Sequence, residues 1–221
     1  MGDILSKYDI LGAFWVTIQL SVLSAIGALV IGTIVAILRV SPVRVLRLLG
    51  TSYVNVFRNT PLTLLMVFSI LGLSFILGLN LSQDLSRNSY LWAIVVLSIY
   101  HAAFVCEALR SGVNTVPAGQ AEAARAIGMT FTQNLRNVVL PQAIRASVPP
   151  LASTFIAMTK NTSVAAVFGL MEATGRMRYF TNRNADETLA IFMLFAVGYI
   201  VLVELISLGS FGLERRWKAA R

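Results

Sequence analysis

Ile10-Leu-Gly-Ala-Phe-Trp-Val-Thr-Ile-Gln-Leu-Ser-Val-Leu-Ser-Ala-Ile-Gly-Ala-Leu-Val-Ile-Gly-Thr-Ile-Val-Ala-Ile-Leu38 runs without a single charged side chain. A hydrocarbon core of about 30 Å is crossed by about 20 helical residues, so this stretch is long enough to span a bilayer as a tilted helix. The rest of the chain agrees with that reading. Its 221 residues are 57% hydrophobic and 13% charged, with a mean hydropathy of +0.75, whereas a soluble domain carries about 25% charged residues. There is too little polar surface to face water on all sides, and a membrane protein follows.

Outward from the first run, further uncharged stretches cover 59–83, 88–106 and 188–213, the last interrupted only by Glu204. A weaker run, 146–159, lies between Arg145 and Lys160 and contains Pro149-Pro150. The chain is therefore expected to be all-α and polytopic, a single transmembrane domain over 1–221. About five transmembrane helices are expected, near 11–38, 60–81, 89–109, 143–161 and 188–210, or four if the proline-bearing run does not cross.

The net charge of +8 is not gathered into a patch that would suit nucleic acid. Basic residues fall instead between the apolar runs. The first loop carries Arg39, Arg44, Arg47 and Arg58 without an acid, the third carries Arg110, Arg125, Arg136 and Arg145, and the tail carries Arg215, Arg216, Lys218 and Arg221. The opposite side has Lys7, Arg87, and a fourth loop in which Lys160, Arg176, Arg178 and Arg183 mix with Glu172, Asp186 and Glu187. The positive-inside rule then puts the N-terminus outside, with the C-terminus and loops one and three in the cytoplasm. Residues 1–9 lack the basic region of a cleaved signal and are expected to be retained. Cys106 is the only cysteine, which excludes an intramolecular disulfide and suggests a small packed hydrophobe. Ser24, Ala28, Gly32 and Ala36 recur every four residues, giving the first helix a small-residue face for close packing, either within the subunit or against a second one.

The third loop reads Gly119-Gln-Ala-Glu-Ala-Ala-Arg-Ala-Ile-Gly128, then Met129-Thr-Phe-Thr-Gln-Asn-Leu-Arg-Asn-Val-Val-Leu-Pro141. Alanine is the best helix former, so 121–127 should be helical, with Pro117 in a first-turn position and Gly128 supplying a left-handed cap. Thr130 and Gln133 have the spacing of a capping box that starts a second short helix. Two short helices joined by a glycine turn thus project from the membrane. Their thin alanine face suits a groove on another protein, and Glu122 and Arg125 offer charges to pair there. A polar loop packed on its own bundle is the alternative that composition leaves open.

Spacing separates the two. Glu122, Ala123, Ala124, Gly128, Val138, Leu140 and Pro141 stand at the offsets of the loop signature of binding-protein-dependent ABC importer permeases, with Val138 where the family usually has isoleucine. Val56-Phe-Arg-Asn-Thr-Pro-Leu62 resembles the Phe-Arg-Gly-Thr-Pro-Leu stretch of polar amino acid permeases. Glu107-Ala-Leu-Arg110-Ser-Gly112 resembles their Ala-Glu-x-x-Arg-Gly-Gly stretch. The resemblance covers about 13–212. Arg39-Val-Ser-Pro-Val, Arg58-Asn-Thr-Pro-Leu-Thr and Lys160-Asn-Thr are most similar to actinobacterial glutamate-uptake permeases. It implies a type I ABC importer permease fold and transport of a polar amino acid by alternating access, with glutamate ahead of glutamine or aspartate. The implied partners are a second permease subunit, a paralogue by this likeness, a dimeric ABC ATPase and an extracytoplasmic solute-binding protein. ATP and Mg would be bound by the ATPase and no cofactor by this chain. By this resemblance Glu122, Ala123, Ala124, Arg125, Gly128, Leu140 and Pro141 couple to the ATPase.

Lysine occurs only at 7, 160 and 218, never in a Gly-x-x-x-x-Gly-Lys-Ser/Thr context, so this chain has no phosphate-cradling loop. One histidine, His101, and no cluster of ligating residues argue against a metal site, and the absence of His-Glu-x-x-His argues against a membrane hydrolase. A secondary transporter would need a coupling-ion site or a pore-lining ring, and neither is present. Ionisable groups in spans remain functional candidates. Glu204 is read as making a hydrogen bond inside the bundle, His101 as a packed polar residue, and Glu107 with Arg110 as either a local ion pair or a partner contact. Lys160 closes the fourth span near the outer side, where it either snorkels or attracts an anionic amino acid. Asn59, Thr60, Asn161 and Thr162 join it as candidates for the substrate path. The prolines at 141, 149 and 150 predict a bent fourth helix near that path.

Overall fold

The structure, a computed structural model, describes residues 9–218, with side chains as far as 212. Lys7 and Arg221, and the side chains of Arg215, Arg216 and Lys218, which entered the charge comparison, lie outside that description, as do residues 1–8 of the terminus expected to be retained.

The described residues form helices joined by short turns, with no strand among them. Helix α1 (Ile10–Val40) and helix α4 (Leu85–Asn114) form the central pair. The small-residue face of α1 is what joins them. Ser24 and Ala28 are fully buried, and a Cβ built on Gly32 would lie 2.7 Å from Val105. The Ser98 hydroxyl donates to the Ser24 carbonyl at 3.3 Å. The stripe is thus used inside the subunit.

The first loop is not a loop. Arg44–Asn59 is a helix, α2, with Val54 packed among Val35, Ala103 and Cys106. It ends at Thr60, which is extended because the α conformation is disfavoured before Pro61. After that break α3 (Leu62–Val67) continues as a wider π-helix to Ile76. The two arms are bent by 100°. Within the expected span 60–81 the helix runs from Leu62 to Ile76. Gly78, at φ 68, turns the chain toward α4. There Asn88 clamps the turn: its Nδ2 donates to Ser74 Oγ at 2.7 Å and its Oδ1 accepts from the Leu81 N–H at 2.8 Å.

Beyond α4 come α5 (Ala118–Ala126) and α6 (Phe131–Asn134), which passes through a π turn (Leu135–Val139) into α7 (Leu140–Asn161). From Phe131 to Asn161 the chain does not leave helix. A 3-10 segment (Thr162–Phe168), α8 (Ala173–Arg183), a short 3-10 turn (Ala185–Glu187) and α9 (Thr188–Lys218) complete it.

Among the described residues, three helical stretches are long and apolar enough to cross a membrane, Ile10–Val40, Leu85–Asn114 and Ala185–Gly212, or up to four if the bent pair counts as one span. About five crossings are expected from the sequence, and α7, which contains Arg145, Lys160 and two prolines, is not among these stretches. Ser147 sits against Leu109 near the Asn114 end of α4, while Asn161 reaches only His101, close to the middle of α4. The 3-10 segment then places Ala165 beside Ala93 and Leu97, and α8 places Phe180 beside Ile10. One passage along the bundle is thus shared among α7, the 3-10 segment and α8. Helix α7 runs through Pro149 and Pro150 without interruption, the Thr154 hydroxyl donating to the Pro150 carbonyl at 2.9 Å.

Candidate functional site

The residues singled out from the sequence occupy two places. Glu122, Ala123, Ala124, Arg125 and Gly128 form a knob beyond the Asn114 end of α4, and Leu140 and Pro141 begin α7 beside it. Local sequence builds the knob. Gly128 has φ 86, and its N–H donates to the Arg125 carbonyl at 3.0 Å while that of Met129 donates to the Ala124 carbonyl at 3.1 Å, closing α5. The Thr130 N–H donates to Gln133 Oε1 at 2.9 Å and the Gln133 N–H to Thr130 Oγ1 at 3.3 Å, the reciprocal capping box. Two side chains fasten the halves: Asn134 Nδ2 donates to the Ala121 carbonyl at 2.9 Å, and Gln142 Nε2 to Gln120 Oε1 at 2.6 Å. Ala124 faces inward, whereas Glu122, Ala123 and Arg125 are exposed. Ile127 and Phe131 are each 78% exposed at its tip. Sequence reasoning passed over both. Their signal was an aliphatic and an aromatic residue flanking the glycine turn of an otherwise polar loop.

The path candidates divide. Asn59 and Thr60 cap α2, their side chains bonded back to the Asn55 and Val56 carbonyls at 2.7 Å each. Asn59 lines a small cavity of about 300 Å³ with Asn55, Arg58 and Phe104. Asn161 Nδ2 lies 3.2 Å from His101 Nε2, and His101 Nδ1 lies 3.0 Å from the Leu97 carbonyl. With Nδ1 protonated toward that carbonyl, Nε2 accepts from the amide, so the buried histidine is a packing group. Thr162 is fully buried and bonded to the Thr159 carbonyl at 2.7 Å. Lys160, exposed and next to Asn161 at the end of α7, lines a cavity of about 540 Å³ between α7, α8 and α9. Glu204 lines the same cavity.

The two buried-acid expectations are exchanged in the structure. Glu204, read as an interior hydrogen-bonding group, is exposed on α9. Glu172, counted only as a loop charge, is fully buried. It caps α8 through the Gly175 N–H (2.9 Å to Oε1), and its Oε2 accepts from Tyr199 at 2.8 Å and lies 3.3 Å from Thr17 Oγ1. Thr17 Oγ1 in turn accepts from the Ala173 N–H at 3.0 Å. One carboxylate thus joins α1, α8 and α9. Its position at a helix N-terminus also suits the helix dipole.

Glu107 pairs with more than Arg110. Arg39 is bonded directly to it, Arg58 approaches to 4.0 Å and Arg110 to 3.8 Å. The two motif stretches around Arg58 and Glu107 therefore meet across α2 and α4, with the Arg58 guanidinium 5.6 Å from the Phe104 ring. No group of three potential metal ligands occurs among the described residues.

Residues 28–217 match the family described as binding-protein-dependent transport system inner membrane component. The chain is 47% identical to a glutamate transport system permease protein, GluC, of Corynebacterium efficiens, over 91% of this chain and 90% of that one. It is 34% identical to a probable glutamine ABC transporter permease protein, GlnM, of Bacillus subtilis, over 92% and 90%. Its fold matches the crystal structure of an amino acid ABC transporter with histidines, with a TM-score of 0.87, 28% identity and 96% of each chain covered. An exposed knob continuous with a bundle helix, a multi-pass apolar body and these likenesses lead to one conclusion: this chain belongs to the binding-protein-dependent transport system inner membrane components, the permease subunits of ABC importers, in which a separate subunit hydrolyses ATP.

Proposed function

We propose that this permease translocates L-glutamate, and that the knob at 115–141 is where the ATPase acts on it. The observation that carries the substrate is the 47% identity to a glutamate permease over nearly the whole chain, against 34% for a glutamine permease. Aspartate and glutamine are the runner-up cargoes.

In this reading the N-terminus lies outside, and the knob and C-terminus lie in the cytoplasm. A second permease, a paralogue, completes the path. ATP and Mg bind to an ATPase dimer beneath, and an extracytoplasmic binding protein delivers the amino acid. The ATPase groove receives Ile127 and Phe131, the exposed apolar tip, with Glu122 and Arg125 at its rim. Because helix is unbroken from Phe131 to Asn161, a push on the knob travels along α7 to Lys160 and Asn161 at its end. The Asn134 and Gln142 bonds keep the knob from rotating away under that push.

The test is uptake of radiolabelled glutamate into vesicles holding the complete transporter, ATP and the binding protein. Uptake that needs ATP and exceeds uptake of glutamine supports the cargo; glutamine uptake without glutamate uptake refutes it. Glu122→Lys and Gly128→Pro should abolish uptake while the protein stays in the membrane. Normal ATP-driven uptake by both variants removes the knob from the mechanism.

A further inference from the structure

The chain leaves the bundle at the Val40 end of α1 and returns with α2. Gly50 is buried against Leu38 and Arg39, and Val54 packs on Val35, so α2 folds back along α1 and the turns before Gly50 project past the end of that span. Every side chain from Pro42 to Leu49 is exposed. Two stripes run along those turns. Val45, Leu48 and Leu49 follow the i, i+3, i+4 spacing of one helix face and are 64%, 55% and 58% exposed. Arg44 and Arg47, three positions apart, form a second stripe beside it. Their charge is uncompensated. No acidic residue occurs between Asp9 and Asp84, and among the described residues no carboxylate lies within 4.0 Å of either guanidinium. Arg47 reaches the Ser41 carbonyl, a neutral acceptor, at 3.4 Å.

Arginine beside exposed valine and leucine at the end of a transmembrane helix suits one environment, the boundary between lipid headgroups and acyl chains. Water leaves the apolar stripe uncovered, and hydrocarbon strands the two guanidiniums. At the boundary the aliphatic stripe enters the acyl layer while the arginine stems lift their charges to the phosphates. We propose that residues 43–49 are an interfacial anchor that binds an anionic phospholipid, its phosphate shared by Arg44 and Arg47 and its acyl chains laid along Val45, Leu48 and Leu49. The planar guanidinium donates two hydrogen bonds to a phosphate at once. A zwitterionic lipid brings a cation that offsets its own phosphate, so a headgroup with net negative charge is preferred. Gly50 and Val54 fasten these turns to α1, so the bound lipid also holds the Val40 end of α1 at the membrane surface. The proposal rests on the orientation given above only in placing the lipid in the cytoplasmic leaflet.

The experiment uses the complete transporter with Val45→Cys in this chain and no cysteine in the partner subunits; Cys106 is fully buried. A bimane label on the new cysteine is quenched by brominated lipid in phosphatidylcholine vesicles. At equal mole fraction, brominated phosphatidylglycerol should quench at least about threefold more effectively than brominated phosphatidylcholine, and the difference should shrink in about 1 M salt. Arg44→Gln with Arg47→Gln should bring the two lipids to parity while both still quench, and Arg44→Lys with Arg47→Lys should keep most of the preference. Equal quenching by the two lipids in the parent, or an unchanged preference in the glutamine pair, overturns the assignment. So does the absence of quenching by either lipid, the result expected if protein covers this face. The leaflet is tested separately. Reaction of the cysteine with a membrane-impermeant maleimide in inside-out vesicles supports the cytoplasmic side. Reaction only from the exterior, with the lipid preference intact, keeps the site and reverses the orientation.

Discussion

Replacing Glu172 tests whether one buried carboxylate fastens three helices. In Glu172→Ala the Gly175 N–H loses its acceptor in a buried position, a loss of about 1–3 kcal/mol. Tyr199 and Thr17 lose a shared charged acceptor, about 1 kcal/mol more each, softened because Tyr199 lies 3.0 Å from Thr174 Oγ1 and Thr17 Oγ1 lies 3.3 Å from the Ala13 carbonyl. The sum is about 3–4 kcal/mol. For a chain of this size that corresponds to a melting decrease on the order of 10 °C. Glu172→Gln keeps an oxygen for Gly175 and can donate to Tyr199 while Tyr199 donates to Thr174. Its cost is about 1 kcal/mol, a shift of roughly 3 °C. Cys106 supplies the assay. It is the only cysteine and fully buried, so thiol labelling during a temperature ramp reports opening of the bundle when the partner subunits carry no cysteine. The expected order of melting is wild type, then Gln, then Ala. If all three melt together, the hub does not hold α1, α8 and α9, and the energetic argument is wrong.

Three further outcomes follow from the same geometry. Gly128→Ala forces a side chain to φ 86 and should cost about 1–2 kcal/mol, read as weaker coupling of ATP hydrolysis to uptake, since no neighbour lies within 4 Å to clash. Glu107→Ala strands the Arg39 side chain, which is 12% exposed, and should cost about 2 kcal/mol in thermal stability; Arg110→Ala, whose partner keeps Arg39, should cost less than about 0.5 kcal/mol. Gly32→Ala pushes a methyl against Val105 and the Ala102 carbonyl and should destabilise by about 1–3 kcal/mol, whereas Gly209→Ala, with open space around it, should not. Melting curves of the purified transporter check the last two.

Local features were legible in the sequence and distant ones were not. The capping box at Thr130, the glycine turn at 128 and the small-residue face of α1 each depend on residues a few positions apart, so spacing alone exposed them. Helix α2 was missed because its arginines resemble loop charge; only the packing of Val54 against α1 and α4 shows that it is an element of the bundle. Glu172 was missed for a different reason. Thr17, one of its partners, is 155 residues away, and no local pattern marks a loop acid that will be buried by another helix. Lys160 was read as closing a crossing because the residues after it carry no long apolar run. The contacts of Asn161 with His101, and of Ala165 with α4, show the passage continuing through the next two segments.

The most direct measurement is a crosslink. With Ile127→Cys in the assembled transporter, and a thiol-reactive crosslinker added to inside-out vesicles, a covalent product between the permease and the ATPase should form, with a yield that changes when ATP is added. Labelling of that cysteine only from the exterior face, or a product that never contains the ATPase, contradicts it.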